Sequence, residues 1–288
     1  MHLIADRGGR VREENSFQDR LLEWMYSHMA GRLLLRPLVS PAVSKFGGRL
    51  LSRKVSRVFI KPFIRSHSID MSQYEKKRYT SYNDFFTRRL MDGARPVEME
   101  PHIFVSPCDS RLGVYEINRL RTFAVKHTRY TAFGLLKSRK LAEQYTGGYV
   151  WIFRLCVDDY HRYIFIDGGT ESRRFQIPGV FHTVNPAAGD RFPIYKENTR
   201  EFSILQSENF GEITQMEVGA MFVGKIENRP RKARVERGQE KGNFAFGGST
   251  VILMTRAGKV LPDQDILENS LRGIETKVKL GERIGEKI

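Results

Sequence analysis

Three short segments carry side chains whose types suit chemistry better than scaffolding. Ser106-Pro107-Cys108-Asp109-Ser110 sets one carboxylate in a turn after an apolar run. Asp158-Asp159-Tyr160-His161-Arg162 places ionisable groups directly after the apolar VWIFRLCV. Phe246-Gly247-Gly248-Ser249-Thr250 brings two glycines and two hydroxyls to the head of the apolar VILM. A serine, a histidine and an aspartate are the parts of an activated hydroxyl nucleophile, because a hydroxyl attacks only when a neighbouring base takes its proton. Each part also has an ordinary use. Asp109 can cap a turn, His161 can be a hydrogen-bonded core or surface histidine, and the glycines can supply the positive φ of a hairpin corner. Spacing alone leaves both readings open.

Other chemistries lack their anchors. The chain has no GxxxxGK[ST], HExxH or GxSxG, which removes the usual phosphate-loop, zincin and hydrolase-elbow readings. The two cysteines, Cys108 and Cys156, form no CxxC and are too few for a disulfide framework or a zinc site. They read as reduced thiols in a cytosolic setting, and no metal is expected. Lys and Arg number 48 against 33 Asp and Glu, a net charge of +15. The first 65 residues hold 13 Lys and Arg against 5 Asp and Glu, about half of that excess. Such a surface attracts polyanions, whether nucleic acid, acidic lipid or an acidic partner. Nucleic-acid binding would rest on charge alone, since no RNP-like strand or finger spacing accompanies it, and is not expected.

These segments need elements to hold them. Residues 16–66 read as amphipathic helix, with Leu21, Leu22, Trp24, Met25, Met29, Leu33, Leu34 and Leu35 near helical spacing and Arg20, Arg32, Arg36, Lys45, Arg49, Arg53, Lys54 and Arg57 interleaved. Pro37, Pro41 and Gly47-Gly48 are expected to break this stretch. Residues 68–95 read as further helix, with Asp70 or Ser72 as N-cap. From residue 101 short β-rich runs take over, among them RLGVYEI, GYVWIFRLCV, RYIFID and STVILM, with one helix expected within 132–145. The fold class is α+β: a helical basic region over 1–95, followed by a mostly antiparallel β domain over 96–288. No apolar run approaches the roughly 18 residues of a spanning helix, and the N-terminal stretch lacks the apolar core of a signal peptide.

GNFAFGGSTVILM resembles the cleavage segment of the phosphatidylserine decarboxylases, pyruvoyl enzymes that carry LGST or GGST. The resemblance extends in order to NDFFTRRL with ARPVE, VSPCDSRLGVY, RLCVDDYHRY, PGVFHTVNP, QMEVGAMFVGKI and KLGERIGEKI. It covers the chain from about residue 80 and is closest to the bacterial GGST forms.

The resemblance implies a proenzyme that cuts its own backbone between Gly248 and Ser249. The Ser249 hydroxyl would attack the Gly248 carbonyl to give an ester. Elimination to dehydroalanine and hydrolysis would then leave a 1–248 chain and a pyruvoyl-blocked 249–288 chain, with loss of ammonia. The pyruvoyl group would be the electron sink for decarboxylating phosphatidylserine to phosphatidylethanolamine, the work that pyridoxal phosphate does elsewhere. His161 matches the family histidine of the decarboxylation and protonation step, and Asp109 the aspartate of the self-cleavage triad.

One departure stands out: many relatives read YHRxH, and here Ile164 occupies the place of the second histidine, the triad base. Either His161 serves both steps, or His182 or His127 reaches the site, or cleavage is slow. His182 is the first substitute, though an ordinary pocket or surface histidine is the alternative. A lipid substrate implies peripheral docking of the N-terminal stretch on an anionic membrane, at the cytoplasmic face of the cell membrane, with the two cleavage chains forming a heterodimer or a higher oligomer of it. The rivals are a pyruvoyl decarboxylase of a soluble amino acid and a catalytically decayed basic lipid-binding homologue.

Overall fold

A computed structural model describes residues 2–14, 24–125, 128–184, 193–220, 225–245, 247 and 249–288. The strands in chain order are β1 His2–Ala5, β2 Val11–Glu14, β3 Ile103–Val105, β4 Ser110–Glu116, β5 Thr122–Val125, β6 Thr128–Thr131, β7 Tyr149–Leu155, β8 Arg162–Ile164, β9 Gly169–Glu171 and β10 Phe175–Ile177. They continue as β11 Arg200–Ser207, β12 Gly211–Val218, β13 Ile226–Asn228, β14 Arg234–Val235, β15 Glu240–Phe244, β16 Ser249–Thr255, β17 Val260–Pro262, β18 Glu275–Val278 and β19 Arg283–Lys287. An eleven-stranded sheet runs β14-β9-β11-β12-β16-β7-β4-β18-β1-β2, with β10 on β11. Its pairings are antiparallel except for β1 beside β18. The expected α+β class with mostly antiparallel sheets is what the chain adopts.

The middle of that sheet explains the continuous apolar runs. β16 is buried at every position and β7 at all but its first. Both faces of these strands are covered, so the polar alternation of a half-exposed strand is absent. The three-stranded sheet β17-β19-β3 lies against β7, where Phe104 packs on Trp151 with ring centroids 4.9 Å apart. The other three-stranded sheet, β13-β15-β8, carries the catalytic-looking segments, and Tyr163 of β8 packs on Phe244 of β15 at 4.9 Å. A fully buried ion pair, Lys241 Nζ to Glu217 Oε1 at 2.6 Å, ties β15 to β12 of the large sheet.

The N-terminal part departs from the pattern read in the sequence. Residues 2–14 are a hairpin on the edge of the large sheet rather than a lead into helix. The Met29–Leu38 helix includes Pro37 one residue before its end, so the hydrogen bond the proline cannot make to the preceding turn falls where the helix is already stopping. Ser40 then caps the next helix, Pro41–Leu51, accepting from the Val43 amide, with Pro41 in the first turn. Gly47 and Gly48 lie inside that helix and do not break it. Leu21, Leu22 and Arg20 lie outside the described residues, as do the side chains of Arg32, Arg36 and Lys45.

Residues 68–95 are mostly not helical. They hold a 3-10 turn at Met71–Gln73, capped by Asp70 through the Ser72 amide, and one short helix, Tyr82–Phe86, capped by Ser81. The intervening EKKR run has no apolar period to bury, and Ser68 sits at φ 49°, which ends the preceding Ile60–Ser66 helix. Ile60, Tyr82, Phe85 and Phe86 form a small core of their own, with Leu51 and Phe63 against it. The helix expected within 132–145 is two, Ala132–Leu136 and Arg139–Glu143. Lys137 in the left-handed region at φ 53° separates them, and Ser138 caps the second.

Candidate active site

Ser249 is the first residue of β16 and stands opposite Leu155, the last residue of β7. Its side chain is fully buried and, among the described residues, Oγ makes no hydrogen bond. A buried hydroxyl in that state costs about 1–3 kcal/mol, an expense usually found where a group has work to do. Gly247 is buried at φ 129°, a region closed to side-chain-bearing residues. Phe246 and Gly248 lie outside the described residues.

The His161 segment spans the same gap from the other side. The turn after β7 runs from Cys156 to His161, and the Phe244 amide at the end of β15 donates to the His161 carbonyl at 3.0 Å. The approach to Ser249 and the turn bearing His161 are therefore tied at both ends. His161 is buried, with the Phe86 ring 4.1 Å from its own. Nδ1 lies 2.9 Å from the Asp159 carbonyl oxygen. A carbonyl only accepts, so Nδ1 carries the proton and Nε2 keeps its lone pair. Nε2 is buried and makes no well-formed hydrogen bond to the described residues. Burial pushes the imidazole down to about 4, helped by Arg88 and opposed by the Asp159 carboxylate and carbonyl and by the Gly247 backbone. The last of these marks the imidazole as a neighbour of the residue two before Ser249.

Asp109 is buried just before β4 and is fully engaged. Arg95 reaches it with Nη2 at 2.9 Å from Oδ2 and Nε at 3.1 Å from Oδ1, the Leu280 amide donates at 2.8 Å, and Lys279 Nζ stands at 3.4 Å. Among the described residues its hydrogen bonds include none to His161 or Ser249. Ile164 packs with Tyr74, Tyr160 and Leu280, so an apolar side chain adjoins the residue whose amide holds Asp109.

His182 sits elsewhere on the same end of the sheet. Its Nδ1 is 3.3 Å from the Tyr26 hydroxyl and its Nε2 3.7 Å from Glu197. Burial lowers its pKa while Glu197 raises it. Its main chain is held through Asn198, whose Nδ2 also donates to the Gly219 carbonyl, one residue past the Thr250 partner Val218. His127 lies outside the described residues.

Several residues that sequence reading passed over frame this site. Arg111 pairs with Asp159, whose carboxylate also accepts from the Cys156 amide at 2.7 Å, fixing the turn that carries His161. Arg154 pairs with Glu275 and donates to the Cys156 sulfur at 3.0 Å. Cys156, Asp158 and Asp159 lie close enough to share an ion, but these arginines already engage them. Burial pushes the Cys156 thiol up to about 12, so it is no nucleophile at neutral pH. Arg88 and Arg95 were visible only as letters within NDFFTRRL and ARPVE.

The phosphatidylserine decarboxylase family model matches residues 82–286. The chain is 46% identical over 274 residues to phosphatidylserine decarboxylase proenzyme 2 of Clostridium acetobutylicum, covering 95% of this chain and 94% of that one. It is 42% identical to the proenzyme of Clostridium tetani, with 93% and 92% covered, and 40% identical to one from Clostridium botulinum, with 93% of each covered. On this match, which takes in every segment built around Ser249, the chain belongs to the phosphatidylserine decarboxylase family.

Proposed function

We propose that the protein is a proenzyme that cuts itself between Gly248 and Ser249 and then decarboxylates phosphatidylserine to phosphatidylethanolamine. Family membership carries the reaction. The observation that carries the site is the buried Ser249 hydroxyl at the head of β16, which makes no hydrogen bond to the described residues, with the His161 imidazole against the Gly247 backbone.

In self-cleavage Ser249 Oγ attacks the Gly248 carbonyl and His161 Nε2 takes its proton, with the Asp159 carbonyl keeping Nδ1 protonated. Gly247, at a φ open only to glycine, lets the chain turn without side-chain obstruction. The residues present suit a pyruvoyl group at position 249, which would supply the electron sink for the carbanion left by CO2 loss. His161 then accepts a proton from the substrate ammonium and returns it to that carbon. A base held near 4 gives its proton up readily. Phe86 packs on the buried His161 and keeps bulk water from the imidazole while it holds the proton. Asp109 takes a supporting part, since its carboxylate is committed to Arg95 and Leu280.

The helical N-terminal region would dock on an anionic membrane at the cytoplasmic face. Among the described residues no helix is long and apolar enough to cross a membrane. Met29, Leu33, Phe46, Leu50, Val55, Val58 and Phe59 are exposed there beside exposed Arg49, Arg53, Lys54, Arg57 and Lys61. Apolar groups set among cations suit the interface of an acidic bilayer. The 1–248 and 249–288 chains would remain together, because β16 is central to the large sheet.

Intact mass under denaturing conditions tests the reading. Two chains, 1–248 and a pyruvoyl-blocked 249–288, with ethanolamine lipid formed from phosphatidylserine vesicles, are expected. A single uncut chain that leaves the vesicles unchanged overturns it in favour of a decayed lipid-binding homologue.

A further inference from the structure

Arg88 is a buried cation without a charged partner among the described residues. Its residue exposure is 2%, and no carboxylate among the described residues pairs with it. Nη2 donates to the Tyr74 hydroxyl at 3.2 Å and to the carbonyls of Asp158 at 3.1 Å and Asp159 at 3.4 Å. The guanidinium carbon lies 4.4 Å from the Tyr74 ring centroid and 5.0 Å from that of Phe85. Nε and Nη1 are buried and, among the described residues, make no hydrogen bond. The nearest carboxylate of that turn, Asp159, is taken by Arg111, and Asp158 stands 3.9 Å from the same arginine. Buried charges are ordinarily paired, because an uncompensated one is costly. Two unused nitrogens on one guanidinium therefore point to an anion that arrives from outside.

Its position says which reaction the anion belongs to. The Asp159 carbonyl that accepts from Arg88 also accepts from His161 Nδ1. The cation thus adjoins the imidazole, under the small aromatic core on which the helices of residues 41–66 rest. We propose that Arg88 binds the phosphodiester of the phospholipid substrate, holding the headgroup so that its serine portion lies at His161. This rests on the decarboxylase reading above. The carboxylate is the poorer candidate. Decarboxylation carries negative charge away from it, so a cation there would stabilise the ground state more than the transition state. The phosphodiester keeps its charge throughout and gives binding that is the same in both. An arginine fork suits its paired oxygens.

The test uses matured protein, short-chain phosphatidylserine as substrate and short-chain phosphatidylethanolamine as inhibitor. The product shares the phosphodiester and lacks the carboxylate. Wild type must turn the substrate over, which separates failure of the decarboxylase reading from failure of this one. Arg88→Gln should cleave into two chains, raise KM about tenfold to a hundredfold and raise the inhibition constant of the product by the same factor, with kcat within about threefold. Arg88→Lys should fall between. A raised KM with an unchanged product constant would assign the cation to the carboxylate and overturn the proposal. Loss of kcat with KM unchanged would make Arg88 a positioning residue for the His161 turn. Failure of both variants to fold and cleave would make it structural, and either result overturns the proposal as well.

Discussion

Arg95 holds Asp109 in a two-pronged grip, with Nη2 2.9 Å from Oδ2 and Nε 3.1 Å from Oδ1. Both side chains are largely buried, at 13% and 3% exposure. This ion pair, together with the Leu280 amide, gives the aspartate a role that needs no histidine partner, in the one place where the chain departs from YHRxH. Asp109→Asn keeps an acceptor for the Leu280 amide and loses the charge opposite Arg95. The expected result is destabilisation of about 3 kcal/mol in urea unfolding, with self-cleavage slowed by less than about tenfold. A folded Asp109→Asn protein that no longer cleaves would return Asp109 to proton handling.

Ile164→His probes the same departure from the other side. Ile164 is packed with Tyr74, Tyr160 and Leu280, so an imidazole there is desolvated but adjoins the residue bound to Asp109. His161, held near 4, is a weak base, and a base closer to neutrality removes a hydroxyl proton faster. The variant should mature several-fold faster at pH 7, at a cost of about 1–2 kcal/mol in stability from placing a polar ring in an apolar cluster. The fraction of cleaved chain against time decides it, and an unchanged rate would mean that proton transfer to His161 does not limit cleavage.

How much of this was legible in the sequence follows from residue type. Ser249 and His161 stood out because polar residues at the ends of apolar strands are rarely filler, and the structure brings the His161 turn against the segment leading to Ser249. Arg88 and Arg95 did not, because arginine is mostly a surface residue and only tertiary packing shows which one is buried. The β runs were readable from apolar patterning, whereas residues 68–95 were not. Their conformation is set by local side-chain caps at Asp70, Ser81 and Asp84 and by packing of Tyr82, Phe85 and Phe86, not by a period. Gly47 and Gly48 remain helical because Ser40 and Pro41 start that helix firmly and its neighbours support it.

Acid should loosen the proenzyme through His161. The imidazole titrates near 4 in the folded chain, against 6.5 as its ordinary value. Between those values the unfolded chain binds the extra proton, so the stability present above pH 6.5 is lost as pH falls towards 4. The full difference amounts to about 3 kcal/mol. His182, also lowered by burial, adds in the same direction. Urea unfolding of the uncleavable Ser249→Ala proenzyme at pH 7.5, 6, 5 and 4 should show this decline, and Ser249→Ala with His161→Phe should flatten it. Parallel declines in the two proteins would mean that the imidazole is not shielded as described.

The basic, apolar outer face of the helices makes the remaining prediction. Arg53, Lys54, Arg57 and Lys61 are exposed, and each cation near an anionic surface contributes about 1 kcal/mol. Replacing all four by Glu should abolish flotation with vesicles rich in anionic lipid at low salt, while wild type floats at low salt and is released as salt screens the attraction. Phe46→Ser with Phe59→Ser removes exposed apolar area and should weaken binding at every salt concentration, because burial of rings in the acyl boundary is not screened. Turnover of short-chain phosphatidylserine should survive both sets of changes, since among the described residues no hydrogen bond, ion pair or ring contact joins these side chains to the Ser249 and His161 segments. Undiminished flotation of the charge-reversed protein would place the membrane contact on another face.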